Sequence, residues 1–430
     1  MELKQFQKKY NVSDIELYTQ SLSEYKVSFV ANKLKQTEIT HRSGKAIRLL
    51  KNKKFGFSAS YGDYNIEDSI KNAIDISLFS PELEILLPKK SQITDLASKE
   101  VNPQDLFPKI STAGKEIIDS SLQIANEALI DVSFDISTLN EIIQNTNELH
   151  YHHSNTIYSL SINIRETKEN DFIEIFTATQ NSEFPDYKIF LDELLLNYKL
   201  SKKHATIKNG HCPILFTSKA SKELLNIIEL ALNGKQINQH SSPWHNKLGN
   251  KITSNLITIT QDPAFGYMAR SIDDEGNPIQ PLTLINKGIL ESFYWDLSSS
   301  CKSISKQTST GNGFKPTLTT QPEPTLLNMI VSTGSRSINN IIKDIKYGLL
   351  IDQTMGGLTS NVSGDLSVNV DIGFLIENGE IIGRVKDTMI SGNIYTALNN
   401  IIELSNNPRF YWSNIYNPDM LIDSFTVTTK

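Results

Sequence analysis

Cysteine is nearly missing from this chain: its 430 residues include only Cys212 and Cys301, which lie far apart. So few cysteines are typical of a reducing compartment, although a single bridge between these two stays open. The chain also has no run of 18 or more apolar residues, so we expect no membrane span. Its start, MELKQFQKKYNVSD, has no apolar stretch after the charges, so we expect no secretory signal. These absences predict a cytoplasmic protein.

Positive charge is in the minority, with 42 Lys and Arg against 48 Asp and Glu, a formal net charge of −6. The only basic cluster that stands out is the short one of Lys51, Lys53 and Lys54. Proteins that bind duplex DNA gain much of their affinity by neutralising phosphates, so we expect no direct nucleic-acid partner. Hydrophobic residues at 39% and charged residues at 21% are ordinary for a globular protein.

The hydrophobic patterns predict an α+β fold. We expect an N-terminal α/β part of antiparallel strands and helices, then a strand-rich C-terminal domain of mixed or barrel-like sheet with few helices. The predicted boundaries are a strand–helix domain over 1–80, a linker over 81–103, a middle α/β domain over 104–209 and a β-rich domain over 210–430. The length of the chain agrees with two or three domains.

Three helices are predicted from apolar residues at helical spacing, and a fourth is predicted in YKIFLDELLLNYKLSKKHA. The first begins after a capping Asn65 and buries a stripe that extends to Leu78. The second covers 103–128, and the third covers 219–233 with Gly234 at its end. Hairpins are expected at KNKK, at INKG and at ENGE, because each places turn-forming residues between two β-favouring runs.

The C-terminal half carries a series of strings in fixed order: SIDDEGNPIQPLTLINKGIL, STGNGF, EPTLLNMIVSTG, GLLIDQTMGG, VSGDLS, GFLIENGEI and MISGN. Together they resemble the C-terminal domain of the TldD/PmbA family, and GKAIRLLKNKKFGFSAS resembles the family's first domain. The resemblance implies a pair of related subunits, TldD-like and PmbA-like (TldE). They are known as parts of a cytosolic metallopeptidase that acts on unfolded or modified peptides.

In the TldD-like subunit, a His-Glu-x-x-x-His motif on the first helix of the C-terminal domain binds zinc. The matching helix here reads ELLNIIELALNG, and we align Asn226 and Ala231 with the two histidines and Ile227 with the glutamate. No histidine lies between His211 and His240. Isoleucine and alanine cannot ligate a metal, and asparagine is a poor zinc ligand. The resemblance therefore implies a PmbA-like chain with no catalytic residue and no metal of its own, and zinc in a TldD-like partner.

Two histidine groups stand outside this motif. His150, His152 and His153 lie in LHYHHSN, where the first and second would share a face of a strand and could suit a metal. His240 and His245 follow the helix just described. For both groups we favour a polar hairpin end or loop over a metal site.

Two further segments are candidates for the lining of a cleft or for contacts with a peptide. The first consists of consecutive carboxylates followed by glycine: Asp273, Asp274, Glu275 and Gly276. The second is the glycine-rich string around an amide: Gly311, Asn312 and Gly313. Each is also explained as a turn, in which Asp bonds its own backbone and Gly supplies a positive φ, and we favour that reading for the carboxylates.

The function expected from these features is that of an accessory subunit in a TldD-type zinc peptidase. The chain would pair with a TldD-like paralogue and help to position a peptide substrate along a sheet edge. The alternative is a stand-alone homodimer that binds peptides or another ligand without protease activity. A direct effect on DNA topology, which the family's older name of modulator of DNA gyrase suggests, ranks last because the charge is negative and no helix-turn-helix stands out.

Overall fold

The computed structural model describes residues 2–89, 102–168, 171–355 and 362–430. Residues 90–101 of the predicted linker therefore lie outside the described residues. The α-helices are α1 Glu2–Tyr10, α2 Ile66–Ser77, α3 Phe107–Ile124, α4 Tyr187–Ser201, α5 Ser218–Leu232, α6 Gly234–Asn238, α7 Leu297–Lys302, α8 Ile338–Lys343 and α9 Ile394–Ala397. Short 3₁₀ segments cover Pro103–Leu106 and Leu398–Asn400.

The strands fall into an N-terminal and a C-terminal series. The first series is β1 Asp14–Val30, β2 Lys33–Lys51, β3 Lys54–Tyr61, β4 Leu129–Asn145, β5 His150–Lys168 and β6 Asp171–Asn181. The second is β7 Gly210–His211, β8 Ile214–Phe216, β9 Ile259–Gln261, β10 Leu282–Asn286, β11 Ile289–Leu290, β12 Gly313–Phe314, β13 Glu323–Pro324, β14 Met329–Val331, β15 Tyr347–Met355, β16 Asp365–Glu377, β17 Glu380–Arg384, β18 Thr388–Asn393, β19 Ile401–Leu404, β20 Arg409–Phe410, β21 Ile415–Asn417, β22 Met420–Ile422 and β23 Thr426–Thr429.

The first series forms one antiparallel sheet in the order β3-β2-β1-β4-β5-β6. The KNKK hairpin is confirmed, because β2 and β3 join through Asn52 and Lys53 with φ of 49° and 61°, as a tight hairpin turn requires. Glu16 of β1 pairs with Asn145 of β4, so strands from both sides of the predicted linker share this sheet. The domain boundaries themselves stay a prediction.

Helices α3 and α4 lie between this sheet and the C-terminal part. Their apolar faces share one core with strands of the first sheet and with β15 and β16, including Ile117, Leu194 and Phe374. Gly114 permits the close approach of α3 to β1, because a Cβ there would lie 2.3 Å from the Phe29 ring. The first sheet and the C-terminal part are therefore joined through a common apolar interior.

The C-terminal part contains two larger sheets. One has the order β11-β10-β9-β14-β21-β20, and the other has the order β19-β22-β8-β15-β16-β18-β23-β7 with β17 paired to β16. Both are mixed, because β14 runs parallel to β21 and β8 runs parallel to β15. The predicted α+β class with a mixed, strand-rich C-terminal sheet is confirmed.

Details of the predicted helices differ from the structure. Leu78 lies beyond the end of α2 and is 65% exposed, so its place in the buried stripe was wrong. The second helix ends at Ile124 rather than at 128, because the chain turns there to enter β4. Gly234 does not end α5 with a positive φ: it begins α6, and its missing side chain leaves room for Trp295, whose Cε3 would lie 2.2 Å from a Cβ.

Candidate functional site: a cleft beside helix α5

Helix α5 begins at a Thr217 cap, whose side chain accepts from the N–H of Ala220, and buries one apolar face. The opposite face carries polar side chains at the spacing of successive turns. These residues are Lys219, Lys222, Glu223 and Asn226. The polar face of α5 is thus built from two ammonium groups, one carboxylate and one amide.

The structure separates the three positions aligned with the zinc motif. Asn226 is exposed on the polar face, whereas Ile227 and Ala231 are buried in the largest apolar cluster. Five residues correspond to about 140° of net rotation around a regular helix, so Asn226 and Ala231 do not share a face. The alignment of these residues with the metal ligands stays a prediction from the sequence.

A cleft of about 320 Å³ runs along the polar face of α5. Its walls come from the helix, from β6, from β15 and from the segment after β20. Its charged lining residues are Lys219, Lys222, Glu223 and Asp352, and Phe176, Ala178, Gln353 and Trp412 also line it. The cleft therefore lies where an edge of the first sheet meets the C-terminal part.

Gln353 caps the edge of the first sheet at this cleft. Its Oε1 accepts from the Phe176 N–H at 3.0 Å, and its Nε2 donates to the Glu174 carbonyl at 3.0 Å. Lys219 Nζ donates to the Phe176 carbonyl at 2.8 Å. Side chains thus take the outward-facing N–H of Phe176 and the outward-facing carbonyls of Glu174 and Phe176.

One further position of β6 faces the cleft. Phe176 lies opposite Asn163 and Ala178 lies opposite Ser161 in the antiparallel pairing with β5. The N–H and C=O of Phe176 point away from β5, so the alternation of an antiparallel ladder turns those of Ala178 to the same outer edge. Ala178 also lines the cleft. Ala178 is only 4% exposed, so these outward groups are largely covered in the structure.

The two lysines of the cleft are held differently. Lys219 is largely buried, and its Nζ lies 2.6 Å from Asp352 Oδ2 and donates to Gln353 Oε1 at 3.0 Å. Among the described residues, the contacts of Lys222 Nζ are long: 3.5 Å to the Tyr411 carbonyl and 3.6 Å to Glu223 Oε1. An incoming anion would compete with weaker contacts at Lys222 than at Lys219.

The predicted carboxylate candidates are brought together away from this cleft, in a buried network between the first sheet and the C-terminal part. Glu275 accepts from Arg48 Nη1 at 2.6 Å and from the Leu297 N–H at 2.7 Å, and Arg48 also pairs with Glu16. The pKa of the Lys315 ammonium group is lowered to about 8, mainly by burial and next by the positive charge of Arg48. Glu275 is therefore engaged by groups of the protein.

Asp274 belongs to a second set of buried ion pairs in the same region. Arg270 Nη1 lies 3.1 Å from Asp274 Oδ1 and 3.0 Å from Glu141 Oε2. Burial raises the pKa of Asp274 to about 6, and the Arg270 guanidinium opposes that rise. Glu141 is a residue of β4, so this set also links the two parts of the chain.

Asp273 and Gly276 form a turn. Asp273 Oδ1 accepts from the N–H groups of Glu275 at 3.0 Å and Asn277 at 2.8 Å, and Gly276 has a φ of +84°. These bonds fit the reading that Asp bonds its own backbone while Gly supplies the positive φ. All three carboxylates of Asp273, Asp274 and Glu275 are buried against protein groups, and a peptide-contacting role for them stays a prediction.

The Gly311-Asn312-Gly313 segment packs into the same interior. The Asn312 amide donates to Gln261 Oε1 and to the Thr325 carbonyl, both at 2.8 Å. The Gly313 N–H donates to Asp273 Oδ2 at 2.9 Å, and a Cβ at Gly313 would lie 2.3 Å from Glu275 Oε2. Both predicted cleft segments therefore meet each other, and a peptide-contacting role for the glycine-rich segment also stays a prediction.

The two predicted histidine groups are arranged differently. His150 and His152 share the exposed face of β5, and His153 is buried on the other face. The rings of His240 and His245 lie 5.1 Å apart. Within the described ranges, no group of three or more His, Cys, Asp or Glu is arranged to hold a metal.

Cys212 and Cys301 are free thiols, and burial raises the pKa of Cys212 to about 11. A thiol with so high a pKa is a poor nucleophile at neutral pH.

Sequence reasoning missed Glu229, which faces Asn414 from α5: Asn414 Nδ2 donates to its Oε1 at 3.2 Å. Burial raises the pKa of Glu229 to about 7. Its signal was a lone carboxylate inside the apolar run LLNIIELAL.

The sheets and the two enclosed helices define the structural class of the protein: an α+β protein with a small cleft where an edge of the first sheet meets the C-terminal part. A family profile described as PmbA/TldA metallopeptidase C-terminal domain matches residues 209–429, and one described as PmbA/TldA metallopeptidase domain 1 matches residues 15–78. The chain belongs to the PmbA/TldD family.

Individual relatives carry both family names. A metalloprotease TldD homologue from Buchnera aphidicola is 32% identical over 203 residues, which cover 46% of this chain and 41% of that protein. A metalloprotease PmbA homologue from the same organism is 23% identical over 81% of this chain and 78% of that protein. The first relative is thus matched over less than half of its length.

The fold is similar to that of solved structures. The crystal structure of TldE from Thermococcus kodakarensis superimposes with a TM-score of 0.90, at 21% identity, over 99% of each chain. At this identity the similarity establishes the fold. In the described parts of the chain, no helix combines the length and the apolar character needed to cross a bilayer.

Proposed function

We propose that this chain is the PmbA-like accessory subunit of a cytoplasmic, TldD-type zinc peptidase and that it holds peptide in the cleft beside α5. It pairs with a TldD-like paralogue that supplies the zinc. Its own part is to position an extended substrate, and the partner carries out the hydrolysis.

The chemistry of the polar face of α5 carries this proposal. A hydrolytic zinc site needs imidazole, thiolate or carboxylate donors around an open position. The face presents Lys219 and Lys222, whose ammonium groups repel a cation, next to Glu223 and the weakly ligating Asn226. These residues do not fit zinc, so no step of hydrolysis is assigned to this chain.

The rim of the cleft supports a role in holding peptide. Phe176 and Trp412 line the cleft and are 46% and 53% exposed, so their rings can cover apolar side chains of a bound peptide. Contacts of this kind suit peptides of varied sequence.

The test compares the purified chain alone, the TldD-like paralogue alone and the two mixed. Zinc is measured by elemental analysis, and cleavage is followed on an unfolded protein substrate. We expect the mixture to cleave and to form a complex by native mass spectrometry, while this chain alone neither retains stoichiometric zinc nor cleaves.

Two outcomes contradict the proposal. Cleavage with tightly held zinc by this chain alone would assign the hydrolysis to it. A homodimer that never exchanges subunits with the paralogue would favour the stand-alone binding protein instead. Substituting Asn226→Ala in the mixture provides a matched control, since a residue without a metal role should leave zinc content unchanged.

A further inference from the structure

We propose that the outer edge of β2 binds a second copy of this chain, strand against strand, over residues 36–42. This inference goes beyond the proposed function, because the contact joins two copies of this chain and requires no paralogue. It is carried by an open backbone edge, by the contrast with the blocked edge of β6 and by the symmetry of the free part of β2.

The free part of β2 begins where β3 ends. Strand β3 pairs with β2 only as far as Gly44, and the Gly62 N–H donates to the Ser43 carbonyl at 2.9 Å. The Ser43 carbonyl therefore marks the outer side of β2. At the other end, the register of β2 against β1 shifts between Gln36 and Leu34, as in a β-bulge. Between these two limits, β2 has a regular edge with no neighbouring strand on its outer side.

Three residues of this free edge turn their backbone groups outward. Because backbone groups alternate in direction along a regular strand, the N–H and C=O of Thr37, Ile39 and His41 point to the same side as the Ser43 carbonyl. All three residues are exposed, and within the parts of the chain that the structure describes no backbone hydrogen bond from outside the sheet reaches these groups. An edge of this kind is a template for another strand.

The opposite edge of the same sheet is blocked by side chains. Gln353 binds the N–H of Phe176 and the carbonyl of Glu174, and Lys219 donates to the Phe176 carbonyl. Proteins commonly cover an edge in this way, or place Lys or Pro on it, to prevent pairing with another chain. Residues 36–42 include neither Lys nor Pro, so the free edge of β2 lacks the protection that the edge of β6 has.

The free edge of β2 suits a second copy of itself because an apolar residue stands at its midpoint. Ile39 is 48% exposed and lies midway between residues 36 and 42. A two-fold axis through an antiparallel pair at Ile39 brings the two Ile39 side chains together and lays one free edge along the other. An axis two positions away on either side would drive the added strand into the end of β3 or across the bulge.

The side chains that meet across this axis are compatible in charge. In the register centred on Ile39, Gln36 lies opposite Arg42 of the second copy, and Glu38 lies opposite Thr40 of the second copy. No two like charges then face each other directly. An axis at Glu38 would place two carboxylates opposite each other, which destabilises a strand pair, and an axis at Thr40 would push the added strand into the end of β3. The charges of this edge therefore fit a second copy in one register.

The experiment measures self-association of the purified full chain by sedimentation equilibrium over a range of concentrations. We expect a reversible equilibrium between monomer and dimer. Ile39→Pro removes the outward N–H at the midpoint, and the sheet itself tolerates proline there because that N–H does not bond to β1. The substitution should weaken the dimer at least about tenfold. Ile39→Val keeps both the N–H and the apolar contact, so it should associate as the parent does.

Two substitutions at one position test the register. Gln36→Lys places a positive charge opposite Arg42 of the second copy and should weaken the dimer at least about twofold, whereas Gln36→Glu should strengthen it by a similar factor. Hydrogen exchange tests the backbone pairing. As the protein concentration rises, the amide of Ile39 should exchange more slowly, while the amide of Thr40, which faces β1, should not change.

A lone chain that stays monomeric would overturn the inference. Equal association of the parent and Ile39→Pro, or equal effects of Gln36→Lys and Gln36→Glu, would also overturn it, as would loss of binding to the paralogue in Ile39→Pro, since the edge would then belong to the paralogue. Apart from that last result, these outcomes leave the proposed function intact as long as the mixture with the paralogue cleaves. If the lone chain dimerises but the mixture does not cleave, the proposed function fails and this inference stands.

Discussion

Arg48 and Glu275 lie 227 positions apart in the sequence, and Arg48 Nη1 donates to Glu275 Oε1 at 2.6 Å in the interior of the protein. Arg48 also pairs with Glu16 on the neighbouring strand, so one guanidinium binds a carboxylate from each part of the chain. Attachment of the first sheet to the C-terminal part therefore includes a buried charge network as well as apolar packing.

Arg48→Met should destabilise the protein strongly, because it leaves Glu16 and Glu275 buried without their cation. Removing one partner of a buried ion pair costs about 3–5 kcal/mol. The free energy of unfolding is measured by urea titration. Arg42→Met removes an exposed pair with Glu24 and should cost less than about 1 kcal/mol. Equal effects of the two substitutions would contradict the network described here.

Asn312→Ala should lower stability by about 1–3 kcal/mol, since it leaves the buried Thr325 carbonyl without its Asn312 donor and leaves Gln261 Oε1 with the Leu327 N–H alone. Thermal and chemical unfolding check the change. Asn286→Ala removes an exposed bond to Glu291 and serves as the control. If Asn312→Ala instead abolished peptide binding at unchanged stability, the residue would be a peptide contact, as first predicted from the sequence.

Glu229 should make stability fall as the pH rises. Burial raises its pKa from the ordinary 4.5 to about 7, so the folded state holds the proton more tightly than the unfolded state. The contribution of the Glu229 carboxyl to the free energy of unfolding is therefore complete at low pH, and it is lost as the pH rises between about 4.5 and 7.

Glu229→Gln should remove this dependence. The variant should match the parent near pH 4 and exceed it by about 1–3 kcal/mol at pH 8, as judged from unfolding curves across that range. Glu223→Gln on the same helix controls for the loss of one charge. If the difference in stability between Glu229→Gln and the parent were the same at pH 4 and at pH 8, the result would contradict the burial of the Glu229 carboxyl.

Gln353→Ala should expose the edge of β6 at Phe176. The amide N–H of Phe176 donates to Gln353 Oε1, so its hydrogen exchange should accelerate by about tenfold or more when the side chain is truncated. The amide of Ile175 points to β5 and provides an internal reference, because its exchange should change little. Exchange is measured by NMR or mass spectrometry; an unchanged rate at Phe176 would rule out the cap.

Local patterns predicted the fold well where local chemistry decides it. Asn65 caps α2 through the N–H groups of Glu67 and Asp68, and the Asn378–Gly379 turn joins β16 to β17 with φ of 51° and 82°. Both features depend on a few neighbouring residues, and such signals are readable from one sequence.

Long-range pairing was beyond the reach of the sequence. Nothing near Glu275 reveals that Arg48 would meet it, or that Glu141 would share Arg270 with Asp274, because Arg48 and Glu141 come from distant segments. The cleft was missed for the same reason: Ala178, Lys222 and Gln353 stand on three different elements. What could be predicted was the helix that forms one wall, together with the kinds of side chain on it.

The apolar interior around α3 and α4 has a consequence for how the chain comes apart. Side chains of both helices, of β4 and β5, and of β15 and β16 belong to one continuous cluster. The first sheet and the C-terminal part share one apolar core at this boundary. Removing the first sheet would therefore expose the inner surface of the C-terminal part to water. Melting should therefore occur as one cooperative transition, and proteases should not liberate a folded N-terminal fragment.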